Sequence, residues 1–149
     1  MPQLEELLPL LGPLGLVLLF APMWVGVVTL ISVTSGWRRL GHTFLLRDPT
    51  PPVPTSLATG SMGWAQYKNS LKLGADQEAL YIGVFFLFRF SHPWLRIPWS
   101  HVHDDGTSGL IFKQQQLTLD PDGLAVRFRI PLRTWERLSA ARPPDQYSG

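Results

Sequence analysis

The sequence predicts an α+β protein in which one N-terminal transmembrane helix precedes an antiparallel β-sheet or barrel capped by a C-terminal helix. Three observations predict it. No charged side chain occurs between Glu6 and Arg38. After a proline run, apolar residues recur with a period of two. A single amphipathic helical pattern then closes the chain after Pro131. Strands grouped ahead of one helix give an α+β or capped-barrel architecture.

A bilayer crossing takes about 20 apolar residues at about 1.5 Å each, and residues 14–33 supply that length without an ionisable group. The rest of the chain is too short to bury a helix that is apolar all round, which argues against a soluble core helix. A cleaved signal peptide would carry a basic leader and a shorter apolar core, whereas Glu5 and Glu6 lead here. The segment therefore reads as a retained anchor. Pro13 suits a helix start, Pro22 predicts a kink, and Gly36 ends the helix before an interfacial Trp37. Thr29, Ser32 and Thr34 can bond back to helix carbonyls. Trp24 falls near mid-span and fits an interfacial belt poorly. Arg38 and Arg39 follow the span directly, so the Lys/Arg bias orients the C-terminal bulk toward the cytoplasm, as in a single-pass inner-membrane protein.

The chain has 149 residues and no cysteine, which excludes disulfides and thiolate metal sites and suits a reducing compartment. All 13 basic residues follow Trp37, against 11 acidic residues less Glu5 and Glu6, so that part carries +4. Such an excess fits the anionic inner leaflet, where each basic residue contributes about 1 kcal/mol. No basic run interleaved with exposed aromatics indicates nucleic acid.

Trp37, Leu40 and Phe44 share one helical stripe while Arg38, Arg39, His42 and Arg47 point elsewhere, which predicts an amphipathic juxtamembrane helix or a frayed helix end with basic anchors. Trp37, Arg38, Arg39 and Phe44 are the expected membrane-interface residues. Residues 48–56 hold four prolines and read as an extended spacer that holds the next domain off the membrane. The expected organisation is an anchor with its juxtamembrane helix at 1–47, a linker at 48–56, a β domain at 57–142 and a flexible tail at 143–149.

Within the β domain, Met62, Trp64 and Gln66 alternate with Gly63, Ala65 and Tyr67. Lys68, Asn69 and Ser70 then read as a turn before Leu71 and Leu73. Residues 79–90 read as one strand buried on both faces. Pro98 marks an edge strand among Leu95, Ile97 and Trp99. Asp104, Asp105 and Gly106 read as a turn, and residues 110–112 and 117–119 as short strands. The Asp120-Pro121-Asp122-Gly123 turn precedes a strand with Leu124, Val126, Phe128 and Ile130 on one face. Pro131 then opens a helix to Ala141, its stripe formed by Leu132, Trp135 and Leu138.

The strand meander, the segment Ile97-Pro98-Trp99-Ser100-His101-Val102, the late Asp-Gly hairpin and the closing helix around Trp135 resemble bacterial pleckstrin-homology-like domains, many of which follow membrane anchors. The resemblance covers residues 61–141. It implies a partly open seven-strand barrel plugged by the C-terminal helix and a binding module rather than an enzyme. Lys68 and Lys72 match the first two members of the family's basic inositide pattern, and no final Arg follows.

Lys68, Lys72, Arg127, Arg129 and Arg133 are the candidate anion- or lipid-binding residues; the bland reading of the arginines is a solvated strand and helix face. His92, His101 and His103, with Asp104 and Asp105 nearby, form a donor set of the kind zinc or iron uses, though the spacing matches no closed site. A Ser100, His103 and Asp105 triad is disfavoured because neighbours along one strand do not converge. The expected function is a membrane-anchored interaction module binding a protein or anionic lipid headgroups, without a cofactor. The alternative is a membrane-tethered metal-dependent enzyme built on His92, His101 and His103.

Overall fold

A computed structural model describes residues 2–48 and 51–143. The first element, α1 (Pro2–Ser35), runs through Pro9, Pro13 and Pro22 as one helix, so it starts well before the Pro13 expected from the sequence. Its 34 residues rise about 51 Å at about 1.5 Å each, well beyond the roughly 30 Å of a hydrocarbon core. Within it, Gly12–Ser35 is long and apolar enough to cross a membrane.

Gly36 ends α1 with φ at 95°, and a Cβ there would meet a Val126 methyl at 3.0 Å. Left-handed backbone and close approach together require glycine. The chain turns at once into α2 (Trp37–Phe44), whose Leu40 amide donates to the Gly36 carbonyl at 3.0 Å.

Seven strands follow: β1 (Ser56–Met62), β2 (Ala65–Ala75), β3 (Ala79–Val84), β4 (Leu95–Pro98), β5 (Val102–Ser108), β6 (Gln114–Leu119) and β7 (Val126–Pro131). They form one antiparallel, curled half-barrel in the order β4-β3-β2-β1-β7-β6-β5. The C-terminal helix α3 (Leu132–Ser139) buries Trp135 and Leu138 in the core the sheet encloses, as the stripe predicts. Its Trp135 ring meets Trp99 edge-on, with centroids 6.2 Å apart.

The core also contains α2, which precedes the linker after which the β domain is expected to begin. Trp37 and Leu40 are fully buried and Phe44 nearly so, in one cluster with Leu71, Ile82, Leu95 and Phe128. Burying a large apolar side chain contributes about 1.5–3 kcal/mol. The stripe of α2 therefore faces the sheet, and neither Trp37 nor Phe44 is left for the headgroup region. The expected spacer joins two parts of one packed unit. Pro49 and Thr50 of that segment, and residues 144–149 of the expected tail, lie outside the described residues. Thr55 runs beside Gly74 of β2.

Both sheet edges are protected. On β4 the Leu45 backbone bridges Leu95 and the Leu46 amide donates to the Trp94 carbonyl at 3.0 Å. On the other edge, β5 carries Asp104 and Asp105, charges of the kind that deter edge pairing.

Four local readings change. The first hairpin turns at Gly63 and Trp64, with Met62 opposite Ala65, and the polar triplet Lys68, Asn69 and Ser70 lies within β2. There Asn69 adopts φ of 50° beside a register shift between Ala58 and Gly60, so the triplet forms a bulge. β3 is buried at all six positions but stops at Val84, and Phe86–Phe88 is a 3-10 turn in a loop. Asp104, Asp105 and Gly106 belong to β5, where Gly106 at φ 96° accommodates a second bulge. Leu110, Ile111 and Phe112 form no strand and are almost fully exposed.

Candidate functional site

The half-barrel is docked on the last turns of α1. Ser32 and Ser35 are buried and Val28 is 2 % exposed, although they belong to an otherwise exposed helix. The Ser32 hydroxyl donates to the Ser91 carbonyl rather than back to its own helix, whereas Thr34 does bond back, to Leu30 at 2.7 Å. Trp64, on the first hairpin turn, donates its indole N–H to Thr34 Oγ1 at 3.0 Å. Trp37 donates to the Pro93 carbonyl at 2.9 Å. Gly63 adopts φ of 58°, and a Cβ there would lie 2.4 Å from the Ser35 carbonyl oxygen, so any other residue would push the hairpin off the helix. Phe88 rests on Trp24, centroids 5.3 Å apart, and Trp24 stacks on Phe20.

Between α1 and the sheet lies a cleft of about 540 Å³. Val28 and Ile31 form its helix wall, Phe85, Leu87 and Phe88 its loop wall, and Ala65 to Ser70 its floor. The β2 bulge shapes that floor: the Phe85 amide donates to the Ser70 carbonyl at 2.7 Å, and Asn69 exchanges hydrogen bonds with Thr59. Lys68 lines the cleft and is exposed.

Tyr67 and His92 form a buried polar pair in the cleft lining. His92 is 1 % exposed, and its Nε2 lies 2.9 Å from the Tyr67 hydroxyl. Burial lowers its pKa from 6.5 to about 4, against the Phe88 carbonyl, which favours the protonated ring. The ring is therefore neutral near pH 7. Its Nδ1–H donates to the Phe88 carbonyl at 3.2 Å, which leaves Nε2 to accept the Tyr67 proton. Burial pushes the Tyr67 phenol up to about 12, with a Ser35 hydrogen bond acting the other way. Trp37 packs against both rings, 5.1 Å from His92 and 5.6 Å from Tyr67. The pair is an uncharged polar group inside aromatic walls.

The basic candidates separate into two groups. Lys68 and Lys72 project from the outer face of β2, and Arg127 and Arg129 from the outer face of β7. The register that sets Ser61 of β1 opposite both Gln66 and Arg129 puts these on one convex surface, with β1 between the two strands. Arg133 stands apart on α3, beside Ile111, Phe112 and Lys113 in a groove of about 770 Å³. Arg38 and Arg39 are exposed beside buried Trp37.

The three imidazoles do not converge. His92 is engaged by Tyr67 and the Phe88 carbonyl, His101 Nδ1 lies 3.4 Å from Asp120, and His103 Nε2 lies 3.4 Å from Asp105. His101 also packs on Phe44, centroids 5.2 Å apart. Among the described residues, no group of three His, Cys, Asp or Glu side chains is placed to hold a metal ion. Asp104 and Asp105 are engaged locally, by Gln115 and Thr118.

Sequence reasoning read Ser91, His92 and Pro93 as a turn but missed Tyr67 and the part of the loop at residues 85–90. The strand pattern identified Tyr67 only as an alternating position, and the unbroken apolar run concealed where β3 stops. No protein-family model matches the chain, and no curated protein or solved structure does either.

Proposed function

We propose that the chain is a single-pass inner-membrane protein whose pleckstrin-homology-like domain lies on the cytoplasmic side and binds an anionic lipid. The observation that carries this reading is the cleft between α1 and β2, apolar along Val28, Ile31 and Phe88 and basic at Lys68. An acyl chain suits the walls and a charged headgroup suits the rim. The meander order and the C-terminal helix support the family resemblance. Hydrogen bonds from Ser32, Trp37 and Trp64 across the junction favour a retained anchor over a removable leader, because cleavage would break the packed unit. Exposed Arg38 and Arg39 after the helix support the inward orientation.

Native mass spectrometry of the full chain in mixed micelles tests the lipid reading. Phosphatidylglycerol should be retained over phosphatidylcholine, Lys68→Ala should reduce that preference, and Leu57→Trp, at a β1 residue that also lines the cleft, should reduce retention of both by obstructing it. Equal retention of the two lipids by the native chain overturns it. A phosphatase reporter fused after Gly149 tests orientation, and periplasmic activity would reverse it. A second reading, docking of a protein, is favoured by Leu110, Ile111 and Phe112, an apolar patch exposed on the β5–β6 connection.

A further inference from the structure

We infer that the loop at residues 85–90 is a second membrane contact, its Phe86, Leu87 and Phe90 side chains immersed at the boundary between hydrocarbon and headgroups. The inference rests on α1 crossing a bilayer. Phe86, Leu87 and Phe90 are 61, 51 and 54 % exposed, and none joins the core. The loop is fixed against α1 by the Phe88–Trp24 contact and the hydrogen bond from Ser32 to Ser91. Its depth is therefore tied to the depth of the helix.

Trp24 stands about 16 Å up the helix axis from Ser35. A bilayer surface at Trp37 would sink the Phe88 ring about 16 Å into hydrocarbon, drawing in the polar backbone of the loop that carries it, which lipid cannot hydrogen-bond. The cost is avoided if the span lies further toward the N-terminus. Residues 7–27 rise about 31 Å, enough for the hydrocarbon core, and contain no charge. That register moves the middle of the span to Val17 and brings Trp24 to the interface, where an indole is favoured. The same surface then passes through the 85–90 loop.

The neighbours of the loop agree with this level. Arg38 and His42 border Phe90 and Pro93 around Thr29, so basic and polar groups lie beside the apolar tip. Arg89, the one charge in the loop, turns back over the Trp94 ring at 5.6 Å, toward the domain and away from the exposed Phe and Leu side chains.

The native chain has no cysteine, so single spin labels can report depth. Val17→Cys, Met23→Cys, Leu87→Cys, Phe90→Cys and Leu110→Cys replace exposed side chains in the full chain, reconstituted in phosphatidylglycerol and phosphatidylcholine nanodiscs. Accessibility to oxygen and to a water-soluble nickel chelate is then compared. The expected order of depth is Val17, then Met23, then Leu87 and Phe90 near the interface, with Leu110 in water. If Leu87 and Phe90 are as open to nickel as Leu110 while Val17 is shielded, the loop contact is overturned and anchoring stands. A label at Met23 deeper than Val17 overturns the shifted register and the interfacial loop with it. Dipolar broadening between Leu87 labels would show a second copy covering the loop instead of lipid, which overturns the inference. A water-exposed Val17 label overturns both anchoring and the loop contact.

Discussion

The loop at residues 85–93 and the connection at residues 109–113 are both exposed and apolar, yet they are built differently. The first is held by hydrogen bonds from Ser32 and Trp37 and by the contact of Phe88 with Trp24. The second projects from the β5–β6 connection with Leu110, Ile111 and Phe112 at 98, 85 and 86 % exposure. The two lie toward opposite ends of β7: Val126 touches Gly36 at one end, and Pro131 pairs with Gln114 at the other, about 17 Å along the strand. Exposure alone therefore does not identify a partner. Contacts with α1 tie the position of the first loop to the helix, and among the described residues the second has no such contact with α1.

The largest effect should come from cutting the chain at the boundary the sequence suggested. A fragment beginning at Thr55 loses Trp37, Leu40 and Phe44 from the core, and about 1.5–3 kcal/mol for each rivals the roughly 5–15 kcal/mol that holds a domain together. It should lack near-ultraviolet dichroism and a cooperative melt. A sharp, native-like melt would show that the junction is an accessory to the half-barrel rather than part of it.

Next in size is Trp37→Ala in the full chain in detergent. It removes a fully buried ring packed on Tyr67 and His92 and should cost about 3–5 kcal/mol in guanidinium unfolding. An unchanged midpoint would contradict a core role for α2.

Acid should then weaken the junction through His92. Its folded pKa, about 4, lies below the ordinary 6.5, so the unfolded chain takes up a proton first as pH falls. The contribution of neutral His92 is fully present above about pH 6.5 and declines as pH drops toward about 4. Stability measured across that window should fall more steeply for the native chain than for His92→Gln. Parallel curves would mean that the ring titrates in the fold as it does in the unfolded chain, so that burial does not hold it neutral.

The smallest effect belongs to the distal connection. Leu110→Ser and Phe112→Ser remove exposed side chains and should shift stability by less than about 0.5 kcal/mol. A larger loss would mean that the connection packs on the domain, and the contrast between the two apolar surfaces would fail.

The sequence by itself determined the elements whose cause is local or periodic. The charge-free run made the membrane-length part of α1, Gly36 ended it, the Asp120 turn formed where Asp, Pro and Gly coincide, and the spacing of Leu132, Trp135 and Leu138 selected the buried face of α3. Such patterns act within a few residues, so they can be read without knowing what lies opposite. Only the tertiary structure decided which surface each apolar stripe meets. The stripe of Trp37, Leu40 and Phe44 has the same periodicity whether it faces headgroups or a sheet, and the curled strands supply the sheet. Likewise, Phe86 and Phe88 continue the alternation of β3, yet the strand stops at Val84 and the loop seats Phe88 on Trp24. The cleft and the Tyr67–His92 pair arise from that same encounter, between residues distant along the chain, because burial depends on the partner surface while periodicity reports only which side chains point together.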